Sequence, residues 1–143
     1  MSGRTYVRSV ASILAGLWVT VGAAVPIGYV ILKLLQSAAD GELGPELLER
    51  PEVVLSLLMG YAVAAAIGGW AACWVTIEKR RRLTLLLSAS HVGTWLFVLV
   101  AGASPFASGI TLGLAAAAVL GTIAGVSVRA WQVDRRSRSA MAQ

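Results

Sequence analysis

Four long, uninterrupted apolar runs constrain this chain more than any other feature of its sequence. They cover residues 9–35, 53–77, 83–102 and 106–128. A helix needs about 20 predominantly apolar residues to cross the hydrocarbon core of a bilayer, and each run reaches that length. The runs are continuous and rich in Ala and Leu, whereas the strands of a membrane barrel alternate apolar and polar residues. The sequence therefore predicts an all-α integral membrane protein, a single domain over residues 1–143 built as a four-transmembrane-helix bundle.

The composition supports a lipid environment. Apolar residues make up 57% of the chain and charged residues 13%, against about 45–50% and about 25% in ordinary soluble domains. A domain of this size in water could not bury so much apolar surface. This excludes a soluble enzyme, a disordered tail and a free nucleic-acid-binding protein. We therefore expect the lipid bilayer as a partner and no nucleic acid.

The distribution of charge predicts how the chain is threaded. Of the 12 Lys and Arg residues, all but Lys33 and Arg50 fall before the first run, in the loop 78–82 or in the tail 129–143. The loop 36–52 carries five of the seven acids. Cytoplasmic loops are enriched in Lys and Arg, so both termini are predicted to be cytoplasmic in a multi-pass protein of the cell inner membrane. The net charge of +5 then reflects orientation rather than a nucleic-acid ligand.

The connections lead to further expectations about the helices. The first run is about twice as long as the 7–15-residue apolar core of a signal peptide, which favours an uncleaved helix. Short connections place consecutive helices side by side, so spans two and three should be neighbours, and spans three and four a tight hairpin. Pro26 is expected to kink the first span. The tail is expected to be disordered beyond Arg138.

Small residues recur at every fourth position in three of the four runs. Such stripes let helix backbones approach closely, which is how membrane helices ordinarily pack. They can serve within one bundle or between chains. The fourth run is small on both faces, which predicts a homo-oligomer or docking on another membrane protein. The glycines expected at helix interfaces are Gly16, Gly28, Gly60, Gly68, Gly113, Gly121 and Gly125.

His91 is the only ionisable residue near the centre of a predicted span. Thr84, Ser88 and Trp95 share its helix face at spacings of three and four, and Thr94 flanks it. An ionisable residue inside a membrane is a functional hypothesis by default. This face is a candidate ligand-binding site or transport pathway. The alternative is a histidine satisfied by a Ser hydroxyl or a backbone carbonyl across the bundle.

The remaining residues indicate little catalytic chemistry. One histidine and one cysteine, Cys73, exclude zinc sites of the usual ligand sets within one chain. Haem b in membranes usually takes two axial ligands, so we expect no cofactor, no metal and no catalytic residue. The basic run Lys79, Arg80, Arg81 and Arg82 is first a topology signal and second a candidate site for anionic lipid headgroups.

The spans contain no Asp or Glu. Proton-coupled transporters and cation-selective channels generally depend on such a carboxylate. The sequence therefore favours a non-catalytic accessory or assembly subunit that packs on a larger membrane complex through its small-residue helix faces. The alternative is a minimal oligomeric transporter, flippase or channel that uses the polar face around His91.

Overall fold

The computed structural model describes residues 3–38, 50–75, 80–103 and 108–141. These ranges form four helices, namely α1 (Gly3–Ala38), α2 (Pro51–Val75), α3 (Arg80–Val100) and α4 (Ser108–Met141). Each helix is long and apolar enough to cross a membrane. The prediction of an all-α protein with four candidate membrane spans is confirmed. Most of the predicted acidic loop, residues 39–49, and Lys79 of the basic loop lie outside the described residues.

Two helix ends follow directly from local sequence. Pro51 occupies the first position of α2, where its missing N–H costs nothing, and Glu52 places a carboxylate in the first turn. The α3 helix ends at Val100 and is followed by Gly102, whose φ of 64° suits a residue without a side chain. The amide of Ala103 then donates to the Val98 carbonyl at 3.1 Å, which closes a Schellman motif.

α1 and α4 are longer than a membrane is thick. With 36 and 34 residues, they extend about 54 and 51 Å, against about 30 Å of hydrocarbon. α1 runs continuously through Pro26. α4 continues through the arginine-rich tail as far as Met141. The expectation of disorder beyond Arg138 was therefore wrong as far as Met141, because the helix that forms the span extends through the Ala, Arg and Ser residues that follow it.

The helices form a bundle in the cyclic order α1–α2–α4–α3. α2 packs against α1 on one side and against α4 on the other. α3 packs mainly on α4, and its contact with α2 is weak. In their most apolar stretches, 17% of the residues of α1 and of α3 are buried, against 44% in α4. The predicted packing of α3 beside α4 is confirmed, and residues 104–107 of the connection lie outside the described residues. The expected α2–α3 neighbourhood was wrong, because α1 and α4 pack on the two sides of α2 and leave α3 diagonally opposite it.

Glycines on α4 bring its backbone against that of α2. A Cβ atom added at Gly121 would clash with the carbonyl oxygen of Ala62, and one added at Gly125 would clash with that of Ala66. A Cβ added at Gly69 of α2 would lie 2.8 Å from the Thr122 carbonyl oxygen. The paired positions rise together along both helices, so α2 and α4 are parallel. Dispersion contacts between the two backbones therefore hold the centre of the bundle.

α1 approaches α2 in the same manner but antiparallel. A Cβ at Gly68 would clash with the Thr20 hydroxyl, which itself donates to the Gly16 carbonyl at 2.8 Å. A Cβ at Gly16 would lie 3.0 Å from the Ala72 Cβ and 3.1 Å from the Leu87 Cδ2. α1, α2 and α3 therefore meet at this level. It lies toward the end of the bundle that carries Arg80 and the arginines of α4, which we call the basic end.

We predict that Gly125→Ala lowers the free energy of unfolding by about 1–3 kcal/mol, because the new methyl group must displace the Ala66 backbone. Unfolding in detergent micelles measures this. Gly93→Ala is the matched control, since no atom lies within 4 Å of a Cβ built there. Its stability should be unchanged or higher, because Ala favours a helix over Gly. Equal losses in the two variants would contradict the α2–α4 contact.

Candidate functional site

His91 lies inside the bundle. Its side chain is 3% exposed. The Tyr61 ring of α2 stands edge-on to the imidazole, with 6.4 Å between centroids, and edge-on to the Trp95 indole at 5.5 Å. These edge-to-face distances are favourable for aromatic rings. Tyr61 therefore connects α2 to the polar face of α3 predicted around His91.

Three polar atoms follow one another along this face of α3. They are the Ser88 Oγ, the His91 Nε2 and the Trp95 Nε1. Each is buried and has no hydrogen-bond partner among the described residues. A buried polar atom without a partner costs about 1–3 kcal/mol. The row therefore offers donors and an acceptor to a polar group of a bound molecule, in addition to any packing role.

The two threonines of the predicted site are used differently. The Thr84 hydroxyl is half-buried and donates to the Arg80 carbonyl at 2.9 Å. Thr94 is exposed, and its hydroxyl donates to the Ser90 carbonyl at 2.8 Å. Both hydroxyls are satisfied by their own helix, as is common for Thr in membrane helices. The geometry brings together Ser88, His91 and Trp95, and leaves Thr94 on the outer surface.

A cavity of about 160 Å³ lies next to these aromatic rings. It is partly open, and it lies between the halves of the helices farther from the basic end. All four helices line it, with Ala24, Ile27, Gly28, Ile31, Leu57, Gly60, Tyr61, Trp95 and Leu114. α1 and α3 make few contacts with each other, so the cavity is least covered on that side. We call it the α1–α3 groove.

The seven glycines expected at interfaces take two kinds of position. Gly16, Gly68, Gly121 and Gly125 sit in the close contacts described above, and Gly113 lies against Leu58 of α2. A Cβ at Gly60 would meet the Ile31 Cδ1 at 2.6 Å. A Cβ built at Gly28 would have no neighbouring atom within 4 Å, because this residue borders the α1–α3 groove. Gly113, Gly121 and Gly125 of α4 thus face α2 of their own chain.

The described arginines of the basic run differ in their contacts. Arg80 forms a salt bridge with Asp134 of α4, with 3.4 Å between the Nη2 and Oδ1 atoms. Both side chains are partly exposed, so this pair contributes little stability, about 0–1 kcal/mol. Arg81 and Arg82 are exposed. Among the described residues of the run, Arg80 therefore links α3 to α4, while the other two point away from the bundle.

Two residues of interest were not singled out from the sequence. Tyr61 is a tyrosine near the middle of a span, although Tyr in membrane proteins concentrates at the interfaces. Arg129 is 8% exposed. It continues the buried face of α4 through Thr111, Leu114, Ala118, Thr122 and Val126, at spacings of three and four. That spacing could have separated Arg129 from the charges that report only topology.

No family model matches the sequence, and comparisons with curated proteins and with solved structures found no similar protein.

We predict that His91→Leu keeps the stability of the wild type within about 1 kcal/mol, because an unpartnered buried polar atom is replaced by an apolar side chain. His91→Ala should cost about 2–5 kcal/mol, because it leaves a cavity. Unfolding of both variants in detergent micelles measures the difference. If Leu costs as much as Ala, the expectation that the imidazole can be replaced by an apolar side chain is wrong.

Proposed function

We propose that this protein is a non-catalytic accessory or assembly subunit, which receives a transmembrane helix of a larger membrane complex in its α1–α3 groove. The observation that supports this most strongly is the placement of the small residues. Gly113, Gly121 and Gly125 of α4 pack on α2 within the chain, whereas Ala24 and Gly28 border an open groove.

The small residues that line the groove suit contact with a helix. Small residues one turn apart let a neighbouring backbone approach closely, and membrane helices associate through such contacts rather than through hydrophobic burial. Ala24 and Gly28 present such a pair along α1, and Gly60 lies at the floor of the groove. Tyr61 and Trp95 supply aromatic surface at the same level. A partner helix with a large side chain at this depth would fill the cavity.

A minimal oligomeric transporter, flippase or channel is the second candidate. The unpartnered polar atoms of Ser88, His91 and Trp95 favour it, because they could bind part of a small polar substrate. The four apolar runs 9–35, 53–77, 83–102 and 106–128 carry no carboxylate to couple transport to protons or to select cations. We therefore rank this function below the accessory role.

The proposal includes an orientation. We infer that both termini face the cytoplasm and that the protein resides in the cell inner membrane. The charge asymmetry of the loops supports this, since the positions of Lys and Arg set the orientation of helical membrane proteins. The exposed Arg135, Arg136 and Arg138 on α4 would then lie on the cytoplasmic side.

We predict that a membrane-impermeant maleimide labels an Arg50→Cys variant in intact cells and labels a Ser139→Cys variant only after permeabilisation. Both positions are exposed, and the natural Cys73 is buried. The change in mass on labelling measures accessibility. Labelling of Ser139→Cys before permeabilisation would contradict the orientation and leave the fold unaffected.

We predict that Gly28→Leu abolishes recovery of a stoichiometric membrane partner when the tagged protein is purified from its native membranes. The leucine would fill the groove, and no atom within 4 Å opposes its Cβ, so the bundle itself should fold. The partner-to-protein ratio, measured by quantitative mass spectrometry, should fall at least about tenfold, which corresponds to about 1.4 kcal/mol.

Gly93→Leu on α3 is the matched control. Gly93 is exposed, has equally open space and does not line the groove. This variant should retain the partner. Loss of the partner in Gly93→Leu alone would place the contact on the outer face of α3 and contradict the groove. Recovery of a homo-oligomer without a partner would favour the transporter.

A further inference from the structure

A buried arginine stands at the basic end of the bundle. Arg129 of α4 is 8% exposed, and its Nε atom is buried without a hydrogen-bond partner among the described residues. Burying a guanidinium is costly unless its charge is compensated. The orientation of the protein does not require a buried arginine, because the exposed Arg135, Arg136 and Arg138 already place positive charge at this end of the bundle.

Tryptophans provide part of the compensation. The Arg129 Cζ lies 4.3 Å from the centroid of the Trp74 ring and 5.9 Å from that of Trp70. The two indoles contact each other edge-on, and the Trp70 Nε1 donates to the Gln132 Oε1 of α4 at 3.1 Å. Cation–π contacts favour the charged guanidinium. They leave it without an anion, since the described residues provide no carboxylate for it.

An open pocket of about 480 Å³ lies against this arginine. This volume falls within the range of about 300–1,000 Å³ that small-ligand sites occupy. Arg129, Arg135 and Arg136 line the pocket together with Trp70, Trp74 and Trp131. Arg135 lies 5.3 Å from the centroid of the Trp131 ring. Three guanidinium groups and three indoles thus surround one space, into which the described residues place no carboxylate.

We infer that this pocket binds the phosphate group of an anionic membrane lipid. Guanidinium groups hold phosphate oxygens through charge-assisted and often paired hydrogen bonds. Tryptophans are the residues that concentrate at the level of lipid headgroups. The pocket begins where the apolar part of α4 ends, so a phosphate held there would keep its acyl chains beside the bundle. The lipid anion supplies the negative charge that the described residues do not provide for Arg129.

Lipid-dependent stabilisation of the protein in a neutral detergent tests the proposal. We expect phosphatidylglycerol to raise the Tm, and phosphatidylcholine to do so much less because its choline cation would face the arginines. The double variant R135Q/R136Q should raise by about thirtyfold the phosphatidylglycerol concentration needed for half of the effect, equivalent to about 1 kcal/mol for each charge. Both side chains are exposed, so the fold should not suffer.

The double variant R81Q/R82Q is the matched control. It removes two exposed charges at the same end of the bundle but outside the pocket. It should leave the half-saturating concentration within about threefold of the wild type, since only diffuse attraction is lost. Equal losses in the two double variants would overturn the proposal in favour of a general surface potential. An equal rise of Tm with inorganic phosphate would overturn the assignment to a lipid.

Arg129 itself provides a second measurement. Arg129→Met should abolish the stabilisation by phosphatidylglycerol, and Arg129→Lys, which keeps the charge, should retain part of it. If Arg129→Met lowers the Tm without lipid but responds to phosphatidylglycerol like the wild type, the arginine is only a clamp between α2 and α4, and the proposal fails. If Arg129→Met does not fold, the two exposed-arginine double variants decide the result.

Discussion

Close contact between the backbones of α2 and α4 is the constraint on which the rest of the structure depends. In lipid, an apolar side chain gains little by moving from acyl chains to another helix, so packing and hydrogen bonding must hold the bundle. Gly121 and Gly125 let α4 approach the carbonyl groups of Ala62 and Ala66. No larger residue would permit this distance. α2 and α4 are therefore neighbours although they are parallel and distant in sequence.

This pairing determines where the other helices lie. α1 takes the opposite side of α2 through Gly68 and Thr20, and α3 is left on the outer side of α4. α1 and α3 then meet where Leu87 lies close to Gly16. Farther from the basic end they are less closely packed, and the cavity beside Tyr61 and Trp95 lies in that part of the bundle. The groove follows from tight packing elsewhere in the same bundle.

The buried face of α4 changes its chemistry along the helix. Its glycines provide backbone contact within the span, and Arg129 continues the same face at the basic end, between the indoles of α2. Beyond the last glycine contact, α4 contacts α2 through the Arg129 guanidinium and the indole rings of Trp70 and Trp74. This matches the change from hydrocarbon to headgroups along the membrane normal, because Trp and Arg are stable where apolar and polar surroundings meet.

Some of this could be anticipated residue by residue. Continuous apolar runs predicted four helices, and the row Ser88, His91 and Trp95 was predicted to share a face because a helix brings positions three and four apart together. Thr94 was expected beside that row but lies outside, since a flanking position turns away from the face. Tyr61 was missed because its contact with His91 joins two helices, and helix periodicity carries no information about such contacts.

The sequence by itself determined that this protein is helical and how many candidate spans it has, because length and apolar composition decide those properties for each helix separately. Only the tertiary structure decided which faces meet. Three helices carry similar small-residue stripes, and each could in principle pack on any other, within the chain or outside it. The distances at Gly121, Gly125 and Gly68 select one arrangement, and that choice leaves Gly28 beside an open groove and Arg129 buried between tryptophans.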